Sequence, residues 1–300
     1  MSEEEIVQKF VSEDVASDRA NGNENDIVVV SQSDYEDKQF VRISRLHFAA
    51  FVFFLIQTVI YSALKVDLAV DPSVGYSTDC DGPICSANMK TYGDINPIWI
   101  IPVFTGLACF DHLLSWYCGY AYPETAKYWL FTVGSNPFRW IEYSISASLM
   151  AVAISILSGV HDIHLWMLIF FMHAIGMLLG QVIELLKRPE DAFLRKFVFG
   201  LASASIFIPW IVIMMYFFTS VTSSADSVPD FVYAAFLGTF ILYITFGANN
   251  FAHNILGYYD FPTAEIVYIV LSFTSKTFLA GDVFGGLRAG EDDDEYPQSS

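Results

Sequence analysis

The sequence predicts an all-α membrane protein, built as a bundle of seven transmembrane helices. Hydrophobic residues make up 54% of the 300 residues, and the mean hydropathy is +0.44. Such values are typical of a polytopic membrane protein. Apolar stretches of about 20 residues recur along the chain, and each can cross the hydrocarbon core of a bilayer. Because lipid offers the backbone no hydrogen-bond partner, every span is expected to be helical.

The predicted spans share long apolar sequence, although the second also contains an aspartate and a histidine. Their ranges are 44–64, 97–118, 137–159, 164–186, 194–220, 230–254 and 263–287. The start of the third span is the best marked, because Asn136 suits a helix N-cap and Pro137 suits the first helical position. The longest connection, about 65–96, joins the first two spans.

Both ends of the chain are polar and acidic. The first 40 residues contain eleven Asp or Glu against three Lys or Arg, so much of the net charge of −18 lies in this tail. We expect residues 1–42 and 289–300 to be disordered tails that flank a membrane domain at 43–288. A solvating role is favoured for these tails, and a docking site for a partner is the alternative.

The distribution of Lys and Arg predicts the orientation. Nine of them lie near helix ends on the side that holds the N-terminus, against three on the other side. The positive-inside rule then places the N-terminus in the cytoplasm and the C-terminus outside. The 65–96 loop is therefore expected to be extracellular. There, Cys80 and Cys85 could form a disulfide or stay free.

The seventh span, "IVYIVLSFTSKTFLAGDVFGG", is largely apolar and contains Lys276 near its middle. A charged lysine at the centre of a membrane helix costs about 2.5–3.5 kcal/mol, so its presence indicates a function. The lysine could form a structural ion pair between helices. Alternatively, its amine could form a Schiff base with a carbonyl group.

The third span offers a partner for this lysine. Glu142 lies about five residues inside it, roughly 8 Å deep at 1.5 Å per residue. Arg139 and Ser146 share its helical face, and Ser272 lies one turn before Lys276 on the seventh span. The sequence therefore predicts a site between the third and seventh helices.

Other ionisable residues in the spans are weaker candidates. Asp111 and His112 could line a polar cavity or make a hydrogen-bonded contact between helices. His173 is interpreted as an interior histidine, and Glu184 as interfacial because it lies beside Lys187. We find no metal-ligand spacing, no phosphate-binding or dinucleotide motif, and no basic patch suited to nucleic acid.

Several motifs together resemble the heliorhodopsins. They are "FRWIEYSISASLM" in the third span, "YIVLSFTSK" in the seventh, "FIPWIVIMMY" in the fifth and "VPDFVYAAFLGTF" in the sixth. The resemblance covers about residues 45–287. It implies a rhodopsin-like retinal protein without enzymatic activity, with a cytoplasmic N-terminus, that forms a homodimer. The family has a histidine in its first helix, one turn before a glutamine, where this chain has Phe54 before Gln57.

The resemblance also implies roles for individual residues. Lys276 would hold all-trans retinal as a protonated Schiff base, with Glu142 as its counterion. Ser146 and Ser272 would hydrogen-bond near that group, and Arg139 would organise the cytoplasmic side of the site. Seven further residues match positions of the chromophore pocket: His173, Gly176, Met177, Pro209, Trp210, Tyr243 and Asn250.

The sequence leaves three functions open. The first is a light sensor in the cell membrane with an unidentified signalling partner. The second is light-gated or light-driven proton transport, for which Asp111, His112 and Glu184 would form the pathway. The third is a seven-span zinc hydrolase, which would need several converging ligands. No histidine occurs in the seventh span to serve as one of them.

Overall fold

The structure is a computed structural model that describes residues 32–295 apart from 65, 67, 69, 82–83 and 224–227. Within these residues, seven helices are long and apolar enough to cross a membrane, which confirms the predicted number. They are α1 (Gln32–Ala63), α2 (Ile100–Ala121), α3 (Pro137–Leu157), α4 (Ile163–Leu185), α5 (Ala192–Ser223), α6 (Asp230–Asn250) and α7 (Phe261–Glu295).

Helices that follow one another along the chain mostly pack side by side, and the first and last helices also meet. The contacts pair α1 with α2, α2 with α3, α3 with α4, α4 with α5, α6 with α7, and α1 with α7. We define the N-terminal face of the bundle as the end formed by the first residues of α1, α3, α5 and α7. The most deeply buried of the seven is α3, which therefore lies at the centre of the bundle.

The start of α3 is fixed by its cap. The Asn136 side chain accepts a hydrogen bond from the backbone N–H of Arg139, and Pro137 occupies the first turn. Gly134, two residues earlier, has φ +59°, the left-handed region that favours glycine. The cap and this turn set the depth at which the polar face of α3 enters the bundle.

Two helices extend beyond the spans expected from hydropathy. α1 already begins at Gln32, and α7 continues to Glu295, so both reach into segments that were predicted to be disordered tails. The Tyr35 hydroxyl on the first turn of α1 donates to Asp260 Oδ2 at 2.6 Å, which helps to hold this extension. Residues 1–31 and 296–300 of the predicted tails lie outside the described residues.

The connection between α1 and α2 contains a β-hairpin that the sequence analysis did not predict. Strand β1 (Ser73–Asp81) pairs antiparallel with β2 (Ile84–Thr91). Cys80 and Cys85 face each other in the backbone register. Their side chains lie outside the described part of the chain, and so does the choice between a disulfide and two free thiols.

The base of the hairpin contacts the α3–α4 turn. The Ser73 N–H donates to the carbonyl of His161 at 2.8 Å, and an isolated bridge joins Val70 to Ile95. The hairpin is thereby attached to the turn between α3 and α4, in addition to its connection to α1 and α2 along the chain.

Aromatic side chains fill the interior between α5 and α6. Trp210 is fully buried and packs on Phe236 and Tyr243, with ring centroids 5.9 and 5.4 Å away. Pro209 lies inside α5 immediately before this tryptophan. Phe217 stacks on Phe236 at 4.2 Å and continues the cluster along the helix.

Candidate functional site

The structure brings Lys276 of α7 against Glu142 of α3 inside the bundle. The lysine Nζ lies 3.2 Å from Glu142 Oε1 and 3.3 Å from Oε2. It also donates to the hydroxyl of Ser272 at 2.9 Å. Lys276 is 2% exposed and Glu142 is 6% exposed. A buried amine is therefore paired with one carboxylate, at the position expected from the sequence.

Two further α3 side chains lie beside this pair. The Tyr143 ring has its centroid 4.9 Å from the lysine Nζ, and its hydroxyl donates to the carbonyl of Tyr268 at 3.1 Å. Ser146 is fully buried, and its hydroxyl has no hydrogen-bond partner in the structure. A buried hydroxyl without a partner is costly, so Ser146 offers an unused polar contact in this region.

A narrow apolar pocket opens next to Lys276. The empty space in it, including the part that is open to the surroundings, is about 330 Å³. It is lined by Tyr143, Ala147, Met150, Met177, Tyr243, Phe246, Ser275 and Lys276. The lining is thus mostly aromatic and aliphatic, with polar side chains at Ser275 and Lys276.

Of the seven predicted pocket residues, two line this space and two lie directly behind it. Met177 and Tyr243 are in the lining, whereas Trp210 packs on the far side of Tyr243. His173 meets the Tyr243 ring edge-on at 5.5 Å, and its Nδ1 lies 2.9 Å from the carbonyl of Ile169.

The remaining three predicted pocket residues are not part of the lining. Gly176 faces α5 instead, where a Cβ would come within 2.7 Å of Ile206. Pro209 belongs to α5 beside Trp210, and Asn250 ends α6 at the N-terminal face. Close packing of α4 against α5 is enough to explain the glycine at position 176, and no contact with a ligand is needed.

Arg139 forms a second buried cluster near the N-terminal face. Its guanidinium makes ion pairs with Glu184 of α4 and Glu265 of α7. Ser135 donates to Glu184 at 3.1 Å, and the side-chain amide of Asn136 donates to Glu265 at 2.7 Å. Glu184 is 0% exposed, so its interpretation as an interfacial residue was wrong. Residues that precede α3 cover the Glu184 side chain, although basic residues follow Glu184 closely in the sequence.

A pair of histidines joins α1 to α2 beside this cluster. Their Nδ1 atoms lie 2.9 Å apart in the contact between His47 and His112. His47 Nε2 is 3.9 Å from Glu265 Oε1, and His112 Nδ1 is 3.9 Å from Asp111 Oδ2. The structure therefore favours a direct contact between helices for His112. Asp111 is buried beside it and has an oxygen without a hydrogen-bond partner.

Sequence reasoning missed two members of this polar region. His47 lies in the predicted first span, where the comparison with the family had found no histidine at the matching position, and Glu265 lies in the predicted seventh. Both are buried. The rule that marks ionisable residues within a span as functional candidates applies to both and could have found them. Across the described residues, no group of three or more His, Cys, Asp or Glu could hold a metal ion.

Comparison with known proteins agrees with this architecture. No match was found among curated proteins, whereas eleven chains of solved structures match. One is the crystal structure of thermophilic rhodopsin from Rubrobacter xylanophilus, with a TM-score of 0.59, 14% identity, and coverage of 85% of this chain and 100% of that chain. At that identity the likeness shows the fold alone. A sequence model of the heliorhodopsins matches residues 43–287. The chain belongs to the heliorhodopsin family.

Proposed function

We propose that the protein is a light sensor in which Lys276 holds all-trans retinal as a protonated Schiff base. The observation that carries this proposal is a buried lysine amine that lines an apolar pocket and has one carboxylate, Glu142, and one hydroxyl, Ser272, as partners. When bound, retinal supplies a polyene that isomerises on absorbing light and an aldehyde that condenses with an amine. Membership of the heliorhodopsin family supports the same reading.

The residues present fit this group. The pocket lining is mostly apolar, and Lys276 within it has Glu142 and Ser272 as polar partners. A long apolar ligand with one reactive end matches that division. Glu142 supplies the negative charge that a cationic nitrogen needs inside a membrane.

Each residue around the Lys276 nitrogen and the pocket then has a definite role. Glu142 stabilises the proton on the lysine nitrogen, and Ser272 orients that nitrogen through its hydroxyl. Tyr143 excludes water, because its ring covers the nitrogen. Ser146 offers a hydroxyl without a partner, which is available when the proton or its hydrogen bond shifts. Trp210 supports the pocket wall through Tyr243.

The proposal includes the orientation and setting of the protein. The distribution of Lys and Arg supports a cytoplasmic N-terminal face, so the Arg139 cluster would lie on the cytoplasmic side of the lysine pair. We further propose a homodimer in the cell membrane that acts on a signalling partner.

Proton transport is the second candidate, and one observation favours it. Buried titratable groups continue from the lysine pair toward the N-terminal face, through Arg139, Glu184, Glu265 and the two histidines. Among the described residues, the buried ionisable groups gather on that side, with His173 beside the pocket. Transport across the bilayer needs access from both faces, so this one-sided arrangement fits a sensor better.

The first test is reconstitution with all-trans retinal. We expect a visible absorption band that is absent in Lys276→Ala and retained in Lys127→Ala, a control that removes a lysine near the surface. A band of undiminished strength in Lys276→Ala would overturn the site assignment.

The second test separates the two functions. Cells that express the pigment are voltage-clamped and exposed to flashes of visible light. A coloured membrane without current supports the sensor. A flash-evoked current that follows the proton gradient and changes in Glu184→Gln would make the protein a proton transporter.

A further inference from the structure

The outer side of α1 carries three cations near the N-terminal face. We call them the basic stripe, and they are Lys38, Arg42 and Arg45. Spacings of four and three residues place them one after another along one face of the helix. All three residues are exposed, and within the described part of the chain none of them makes an ion pair, a hydrogen bond or a cation–π contact. Three positive charges therefore lie together without a direct protein partner.

A surface groove runs along the basic stripe. It is lined by Asp37, Lys38, Val41, Arg42, Arg45, Leu46 and Ala49. Asp37 is the one carboxylate in this lining among the described residues, and it is already paired with Lys127 at 2.7 Å. Asp34, on the first turn, lies about 12 Å before Arg42 along the helix. The groove thus combines apolar surface with two arginines that have no carboxylate as a partner.

The exposed face of α1 continues from this groove as apolar surface. After Arg45, the same face carries, at intervals of four, three and four residues, Ala49, Val52 and Ile56. Val52 is 37% exposed and Ile56 is 55% exposed. At 1.5 Å per residue, Ile56 lies about 16 Å beyond Arg45. That distance is about half of the 30 Å hydrocarbon core, which is the depth of one leaflet.

Neighbouring aromatic residues mark the level of the membrane surface. Phe48, one turn after Arg45, packs against Trp116 of α2 with ring centroids 5.1 Å apart, and Trp116 stacks on Tyr120 at 6.0 Å. Tyr120 is 75% exposed. Tryptophan and tyrosine are enriched where the headgroups meet the hydrocarbon. The basic stripe therefore lies at the depth of the lipid headgroups.

We propose that the groove on α1 binds one anionic phospholipid, with its headgroup phosphate between Arg42 and Arg45 and one acyl chain along the apolar face that follows. Side chains three residues apart on a helix have Cβ atoms about 5–6 Å apart, so both guanidinium groups can reach one phosphate. Arginine suits this task, because its planar fork donates two parallel hydrogen bonds to phosphate oxygens. Lys38 adds a third positive charge on the side of the solvent.

Two other partners fit this surface less well. Residues 1–31 contain eight Asp or Glu against two Lys or Arg, so they match the charge of the stripe but not the apolar face that extends into the bilayer. A second copy of the chain would bring the same cations together in a two-fold contact along the stripe. A phospholipid matches both parts. The orientation proposed above also places the groove in the cytoplasmic leaflet, which contains the anionic lipids.

Native mass spectrometry of the purified full chain in a neutral detergent tests the proposal. The protein is titrated with phosphatidylglycerol and, separately, with phosphatidylcholine that carries the same acyl chains. We expect one phosphatidylglycerol to bind more tightly than phosphatidylcholine. The double variant Arg42→Gln/Arg45→Gln should bind phosphatidylglycerol about 25-fold more weakly, at about fivefold for each arginine. Its affinity for phosphatidylcholine should not change.

A matched variant controls for the loss of charge. Lys90→Gln/Arg188→Gln removes two exposed cations away from the groove, one in the hairpin and one that is paired with Glu190, and it should bind phosphatidylglycerol as the wild type does. As a second measurement, phosphatidylglycerol should raise the thermal midpoint of the wild type but not that of Arg42→Gln/Arg45→Gln. Neither measurement needs retinal or light, so failure of the proposed photoreceptor function would leave both unaffected.

Three results would overturn the proposal. The first is equal affinity of the wild type for the two lipids, which would favour the acidic residues 1–31 as the partner of the stripe. The second is undiminished binding of phosphatidylglycerol by Arg42→Gln/Arg45→Gln. The third is displacement of the lipid by an equal concentration of inorganic phosphate, because a free phosphate makes no use of the apolar face.

Discussion

His47 and His112 face each other through equivalent atoms, with Nδ1 of one ring 2.9 Å from Nδ1 of the other. One of these nitrogens must carry a hydrogen and the other must accept it, so the two neutral rings are opposite tautomers. The Phe54 ring stacks on His112 with centroids 5.6 Å apart. The contact therefore joins α1 and α2 in one defined arrangement within the membrane.

Removal of either histidine should leave a buried nitrogen of the other without its partner. We expect His47→Leu and His112→Leu each to lower the free energy of unfolding by about 1–3 kcal/mol. The double variant should cost less than the sum, with a coupling of about 0.5–3 kcal/mol. Unfolding of the four proteins in mild detergent measures the cycle. His47→Leu combined with His173→Leu is the control and should be additive, because His173 bonds within its own helix.

Replacement of Glu142 by glutamine should weaken the hold on the proton at the Lys276 nitrogen. Without the carboxylate at 3.2 Å, the cationic form loses its charge partner and the neutral form is favoured. With retinal bound, the visible band of Glu142→Gln should fade at a lower pH than that of the wild type. Absorption spectra recorded across pH measure this change. Glu142→Asp should lie closer to the wild type, and an unchanged titration of Glu142→Gln would contradict the counterion role.

A methyl group at position 180 should disturb the wall of the site. A Cβ at Gly180 would overlap the ring of Trp140, which packs edge-on against Tyr143 with centroids 6.2 Å apart. Overpacking of this kind costs about 1–3 kcal/mol, so Gly180→Ala should lower the thermal midpoint. Gly200→Ala is the matched control, because nothing lies within 4 Å of its added Cβ. Equal midpoints for the two variants would contradict the packing argument.

The base of the hairpin should respond to pH. A hydrogen bond with Asp94 raises the pKa of the exposed Asp71 carboxyl, and the charge of Asp94 raises it further, against an opposing effect of His161. A raised pKa in the folded state means that the contact is complete at acid pH and is lost as pH rises through that pKa. The Ser73 amide NMR signal should report this, since its N–H donates to His161.

The Asp71→Asn variant tests the origin of that response. Asparagine supplies a permanent donor to Asp94, so the Ser73 signal should stay near its acid-pH position over the same interval. Asp191→Asn, in the connection between α4 and α5, is the control and should titrate as the wild type does. An identical shift in wild type and Asp71→Asn would assign the response to another group.

The accuracy of the predicted helix ends depended on local signals. The third span, predicted as 137–159, is observed as Pro137–Leu157, and its start agrees because Asn136 and Pro137 mark it in the sequence. The first span was predicted from residue 44, although α1 begins at Gln32. Hydropathy locates the part inside the membrane, whereas the polar extension of α1 is held by a contact with the distant Asp260.

The site was predictable where one residue carried the signal. Lys276 stood out as a charge in an apolar span, and Glu142 as a carboxylate at suitable depth. Glu184 was misinterpreted because its basic sequence neighbours indicate an interface. Its burial depends on Ser135 and Arg139, which precede it by more than forty residues. Such contacts between distant segments leave no periodic pattern in the sequence.

Pro209 gives α5 a point at which bending costs little. Proline has no N–H, so the carbonyl of Ser205 has no hydrogen bond to lose at this turn. The half of α5 before Pro209 and the half after it can therefore change their mutual angle at this turn without breaking that hydrogen bond. Trp210 connects this hinge to Tyr243 in the pocket wall. If that pocket wall were displaced, one half of α5 would therefore tilt relative to the other half.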